Sequence, residues 1–99
     1  MHETSVKNYY RLLTQVDDVV GGIREALRRR GVDDNTVIVF LGDNGFFLGE
    51  HGLAGKWYGY EESIRVPLIV YDPRLSVARR GQVRDEMALN VDVAPTLLA

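Results

Sequence analysis

TVIVFL, Thr36 to Leu41, is β-branched and apolar on both faces. Period-two alternation is missing, so a strand here has to be covered on both sides, as in a parallel sheet. A second run, PLIVY from Pro67 to Tyr71, has the same character. It opens with proline at the strand position that tolerates it and closes at Asp72-Pro73. Upstream, Tyr9, Leu12, Leu13, Val16, Val19, Val20, Ile23 and Leu27 recur in steps of three and four, which predicts a one-sided amphipathic helix. Thr4 or Ser5 is placed to cap its start. Arg28 to Arg30 sit in its last turn, where cations offset the negative end of the dipole, and Gly31 terminates it. Gly21-Gly22 inside such a helix costs about 1 kcal/mol each against Ala, which points to close packing against a neighbour or to a kink. Helix, buried strand, loop and buried strand in that order predict an α/β fold with mostly parallel strands. In such folds ligands sit beyond the carboxyl ends of the strands.

Composition narrows the function. The 99 residues are enough for one modest core. A net charge of −2, with basic and acidic residues spread along the chain, offers no stripe to follow phosphates and no basic membrane surface. No run approaches the roughly 18 apolar residues of a spanning helix, and MHETSVKNYY lacks the layout of a signal peptide. Without cysteine there is neither a disulfide framework nor thiolate chemistry. Towards the C-terminus, Asp92 reads as a helix N-cap with Pro95 in the permissive first turn. The chain stops at APTLLA, within the first turns of that helix, as a piece of something longer would.

The chemistry is concentrated in LGDNGFFLGEHGLAGKWYGYEES, Leu41 to Ser63, which holds six of the chain's ten glycines and one of its two lysines. Asp43 and Asn44 follow the strand directly. A carboxylate and an amide carbonyl are hard oxygen donors suited to Ca²⁺ or Mg²⁺, and Gly42 and Gly45 allow both to face one ion. Asp-Asn-Gly by itself is equally a common turn sequence. Lys56 lies thirteen residues beyond Asp43 in a loop poor in positive charge. Beside a bound anion it would offset charge on a developing oxyanion; its other reading is a solvated surface lysine. His51 is open to three roles: donor to a leaving-group oxygen, proton relay, or a brace for the loop. Glu50 and Glu61-Glu62 read as loop-bracing or helix-starting carboxylates. Trp57, Tyr58 and Tyr60 either wall an organic substrate or lie buried beneath the loop.

Four blocks in order resemble the sulfatase family of the alkaline-phosphatase-like superfamily. YYRLLTQVDDVVGGIREAL is similar to the helix before the family's metal-binding strand, and NTVIVFLGDNG to that strand and its ligand pair. LGEHGLAGKWYGYEESIRVPLIVYDP is similar to the segment carrying the substrate lysine, and NVDVAPTLL to the next helix start. The resemblance covers nearly the whole chain and identifies residues 1–99 as a fragment from the later half of a sulfatase catalytic domain, with a partial alkaline-phosphatase-like fold and a Gly-rich active-site loop. It implies that Asp43 and Asn44 ligate a divalent cation, usually Ca²⁺, and that Lys56 contacts the sulfate. His51, in GEHG, would be a further catalytic candidate. Asn after the Asp is similar to sulfatases, whereas His there is frequent in relatives acting on phosphate or phosphonate esters.

The family's formylglycine nucleophile arises in a Cys/Ser-x-Pro-x-Arg motif that this sequence lacks, as it lacks the paired aspartates completing the metal site. The expectation is half a site: part of a sulfuric ester hydrolase acting on a sulfated small molecule or carbohydrate, inactive without the remainder of the catalytic domain. The resemblance is compatible with a periplasmic, extracellular or lysosomal location, and no segment selects a compartment. The alternatives are a phosphoesterase or phosphonate hydrolase of the same superfamily, and a non-catalytic α/β module binding a cation or a protein through its acidic loop. Receiver-like signalling domains also place an Asp at a strand end, but their further acidic pair follows an earlier strand, and Asp17-Asp18 lies within the expected helix.

Overall fold

The computed structural model describes residues 3–99. Helix α1 spans Glu3–Arg30, 28 residues, with Arg28 to Arg30 in its last turn. At about 1.5 Å per residue it is about 42 Å long, and it sets the longest dimension of the molecule, 47 Å. Gly31 ends it at φ +66°, its N–H reaching Arg28 O at 2.9 Å while Val32 N–H reaches Leu27 O at 3.1 Å. Only a residue without a Cβ takes that left-handed turn cheaply. Thr4 and Ser5 lie inside the helix rather than capping it. Gly21 and Gly22 also depart from expectation: a Cβ at either would meet nothing within 4 Å, so no neighbour packs closely there.

The two apolar runs form β1 (Ile38–Leu41) and, after the intervening lobe, β4 (Leu68–Tyr71). They pair with each other, and the pairing is antiparallel, Ile38 opposite Tyr71 and Leu41 opposite Leu68. The expectation of buried, mostly parallel strands is therefore corrected on both counts. Parallel neighbours need a crossover that carries the chain back to the end where the first strand began. Residues 42–67 make no such journey: Gly42 N–H donates to Pro67 O at 3.2 Å, so the lobe leaves and re-enters at the same end of the sheet. Every residue of β4 is exposed and every residue of β1 is half-buried.

The lobe contains a short hairpin, β2 (Phe47–Leu48) with β3 (Ala54–Gly55), and a single helical turn, α2 (Glu61–Ile64). Phe47 is fully buried and Ser63 nearly so; no other side chain among the described residues is. Helix α1 lies over one face of the β1–β4 pair, where Arg24 sits 5.1 Å from the centre of the Tyr71 ring. Between them a cavity of about 400 Å³ remains, lined by Leu13, Val16, Val20, Phe40 and Ile69 among others. Close-packed interiors have no such gap. The radius of gyration, 16.5 Å, exceeds the roughly 13 Å of a compact domain this long.

Beyond β4, Arg74 binds both oxygens of Asp72, at 2.8 and 2.9 Å, and donates its backbone N–H at 3.0 Å. Those bonds hold the Asp72 carboxyl down at about 2. Helix α3 spans Asn90–Leu98. Its N-cap is Leu89, not Asp92; Asp92 is the third helical residue and reaches back, its Oδ2 accepting from Leu89 N–H at 3.2 Å. Pro95 lies inside the helix instead of in its first turn. No helix of the described residues is long and apolar enough to cross a membrane.

Candidate functional site

Strand β1 delivers Gly42, Asp43, Asn44 and Gly45 at its carboxyl end, and the backbone there is held from several directions. Gly45 N–H donates to Ser63 O at 2.8 Å, and a Cβ at this position would overlap the Glu62 carbonyl oxygen. Only glycine lets this turn lie against α2 so closely. A Cβ at Gly42 would be pressed to 3.2 Å from Val66 Cβ, so the strand exit is tight as well. From α3, Asn90 Nδ2 donates to Gly42 O at 3.2 Å and to Asp43 O at 3.3 Å.

Within this turn, Asp43 Oδ1 accepts the Asn44 N–H at 2.9 Å. The Asn44 side-chain amide donates from Nδ2 to Gly45 O at 2.8 Å, and its Oδ1 accepts from Lys56 Nζ at 3.0 Å. Each end of the amide thus meets a partner of the matching kind, which fixes its orientation. The ammonium reaches Asn44 from twelve residues away. The hairpin makes this possible. Phe47 pairs with Gly55 across the β2–β3 ladder, and Gly55 at φ +96° turns the chain just before Lys56.

The loop between β2 and β3 carries Gly49, His51 and Gly52, all with positive φ, and His51 at +55° is the one non-glycine among the described residues in that region. A residue with a Cβ held there signals a local constraint. His51 stacks on Tyr60 with 4.6 Å between ring centroids and meets Phe47 edge-on at 6.2 Å. Its Nε2 lies 3.2 Å from Glu62 Oε1. Glu50 also braces the loop, its Oε2 accepting from Leu48 N–H at 2.6 Å. The histidine is thus tied to α2. Trp57 is 83% exposed, and Tyr58 and Tyr60 are exposed too, so burial beneath the loop does not describe them.

Asp43, Asn44 and Lys56, singled out in the sequence, come together; His51 joins a separate cluster with Glu62. Asn90 carried no signal beyond being a polar residue at a helix start. No group of three or more His, Asp or Glu placed to hold a metal occurs among the described residues. The Asp43–Asn44 pair nonetheless fits a hard cation in kind: one carboxylate and one amide oxygen, the latter already facing a positive charge.

The family model for sulfatases matches residues 2–99. The chain is 38% identical over 97 residues to an N-acetylglucosamine-6-O-sulfatase of Bacteroides thetaiotaomicron, covering 98% of this chain and 17% of the relative. It is 38% identical over 91 residues to an arylsulfatase of Clostridium perfringens, 91% of this chain and 19% of the relative. It is also 38% identical over 91 residues to the multifunctional alkaline phosphatase superfamily protein PehA of Trinickia caryophylli, 91% of this chain and 17% of the relative. The chain therefore spans under a fifth of the length of these relatives. With the sulfatase model matching residues 2–99, the chain belongs to the sulfatases.

Proposed function

We propose that the protein carrying this segment is a sulfuric ester hydrolase, in which residues 1–99 supply half of a divalent-metal site and the sulfate-contacting lysine. The observation that carries this reading is the 3.0 Å contact between Lys56 Nζ and Asn44 Oδ1. It gathers one carboxylate, one amide oxygen and one ammonium at the end of β1. Asp43 and Asn44 are the residues that would hold Ca²⁺, or Mg²⁺ in its place. Such an ion, when bound, supplies Lewis acidity towards an ester's anionic oxygens. Lys56 binds the sulfate and offsets the charge that grows on its oxygens as the ester bond breaks. His51 acts on the chemistry only through the loop it braces. The formylglycine nucleophile, the remaining ligands and the cover for the apolar face of α1 and the β1–β4 pair come from the remainder of the catalytic domain.

The test is turnover of a chromogenic aryl sulfate by the full-length protein. Lys56→Ala and Asp43→Ala each lower kcat/KM by roughly 10²–10³-fold on this reading, the scale of losing a preorganised electrostatic contact. Wild-type turnover in either variant would refute the assignment. Residues 1–99 alone give no turnover above the Lys56→Ala background. The similarity to PehA supports a second reading, a phosphoesterase of the same superfamily. An aryl phosphate cleaved faster than the matching sulfate would favour it.

A further inference from the structure

We infer that Asn90 is a positioning residue for the Asp43–Asn44 pair, a role that rests on the proposed cation site. Its Nδ2 donates to Gly42 O and to Asp43 O, partners 48 and 47 residues away in the chain. The amide nitrogen carries two hydrogens, so both bonds form at once. Each carbonyl belongs to a rigid peptide plane. The Gly42 carbonyl fixes the plane that enters Asp43, and the Asp43 carbonyl fixes the plane that leaves it for Asn44. Holding both planes sets the backbone on either side of Asp43, and with it the direction in which each Cβ leaves the chain. The two other anchors of the turn, Gly42 N–H on Pro67 O and Gly45 N–H on Ser63 O, lie outside the pair. Asn90 acts between them.

Helix α3 is built to deliver this side chain. Asp92 Oδ2 accepts from Leu89 N–H at 3.2 Å, while Asp92 N–H donates to Leu89 O at 2.9 Å. That reciprocal pair closes the first turn around Asn90, the first helical residue. Thr96 Oγ1 donates to Asp92 O at 2.6 Å one turn on. The cap read from the sequence as a helix start thus serves the ligand turn through its neighbour. Asn90 contacts neither the lysine nor a side-chain donor of the pair, so it works through the backbone.

The experiment is a titration with Ca²⁺ alone, followed by the NMR shifts of the Asp43 and Asn44 amides. It compares wild type, Asn90→Ala, Asn90→Ser and Asp43→Ala. Loss of the bonds in Asn90→Ala raises the Kd about fivefold, the scale of one net hydrogen bond. Asn90→Ser retains a hydroxyl donor and recovers part of that loss, a rescue that generic destabilisation of α3 would not give. If Asn90→Ala fails to fold, the comparison of Asn90→Ser with wild type decides, a Kd raised less than fivefold but above wild type being the supporting result. Calcium affinity unchanged in the Asn90 variants but lost in Asp43→Ala overturns the positioning role and leaves the cation site standing. A wild-type chain whose Asp43 and Asn44 amides ignore calcium, or Asp43→Ala with unchanged affinity, removes the cation site and the positioning role with it.

Discussion

The lobe of residues 42–67 and the layer formed by α1 with the β1–β4 pair are organised in opposite ways. In the lobe, hydrogen bonds and one buried ring fix the geometry: Phe47 is 0% exposed, and Gly45, Asn44 and His51 each have defined partners. In the layer, Val19 is 62% and Ile69 59% exposed, and a cavity separates helix from sheet. Polar geometry needs only a few local partners, whereas burying an apolar face needs another surface of comparable size. The lobe thus fixes its own geometry, while the layer leaves its apolar faces open.

That contrast breaks most readily at the largest side chains. Phe47→Ala lowers stability by about 3–4 kcal/mol and Val19→Ala by under about 0.5 kcal/mol, compared by denaturant unfolding. Equal losses would mean that the lobe and the layer are not differently packed. Glycines give the next test, with opposite signs. Gly45→Ala costs about 2 kcal/mol because its Cβ would meet the Glu62 carbonyl. Gly21→Ala gains up to about 1 kcal/mol, since nothing stands near it in the helix.

These pairs also show what could be read from the sequence. The length of α1, its arginine-rich end and Gly31 follow from local pattern, and so does the placing of Asp43 and Asn44 directly after β1. The contact of Lys56 with Asn44 crosses the hairpin, and local pattern leaves that lysine open between a surface role and one beside an anion. Pairing direction does not follow. Two apolar runs look alike whichever way they pair, and only the path of residues 42–67 between them makes β1 and β4 antiparallel. Gly21-Gly22 misled for a related reason, because a glycine's cost is local while its explanation lies in a neighbour. Asn90 went unread since its bonds span 47 and 48 residues, beyond any sequence period. Nor could the sequence show that the His51 ring stacks on Tyr60 and meets Glu62, since both partners lie at a later element.

Smaller effects sharpen the electrostatics of the lobe. Lys56→Met removes a positive charge from beside Asn44 and tightens calcium binding by about fivefold without sulfate, measured by the same NMR titration. Weaker binding would show that the ammonium is needed to aim the amide. The smallest effect belongs to the exposed turn after β4. Asp72 has its pKa lowered from 3.8 to about 2 by Arg74, so its contribution is present above 3.8 and lost as pH falls through 2. Asp72→Asn should flatten the melting temperature between those values; an unchanged slope would show that the pair persists in the unfolded chain.

A crystal structure of the full-length protein grown with calcium and inorganic sulfate bears most directly on the half-site. The account predicts a cation touching both Asp43 and Asn44 side-chain oxygens, with a sulfate oxygen within hydrogen-bonding distance of Lys56 Nζ. A cation held elsewhere, with the Lys56 ammonium turned to solvent, would contradict it.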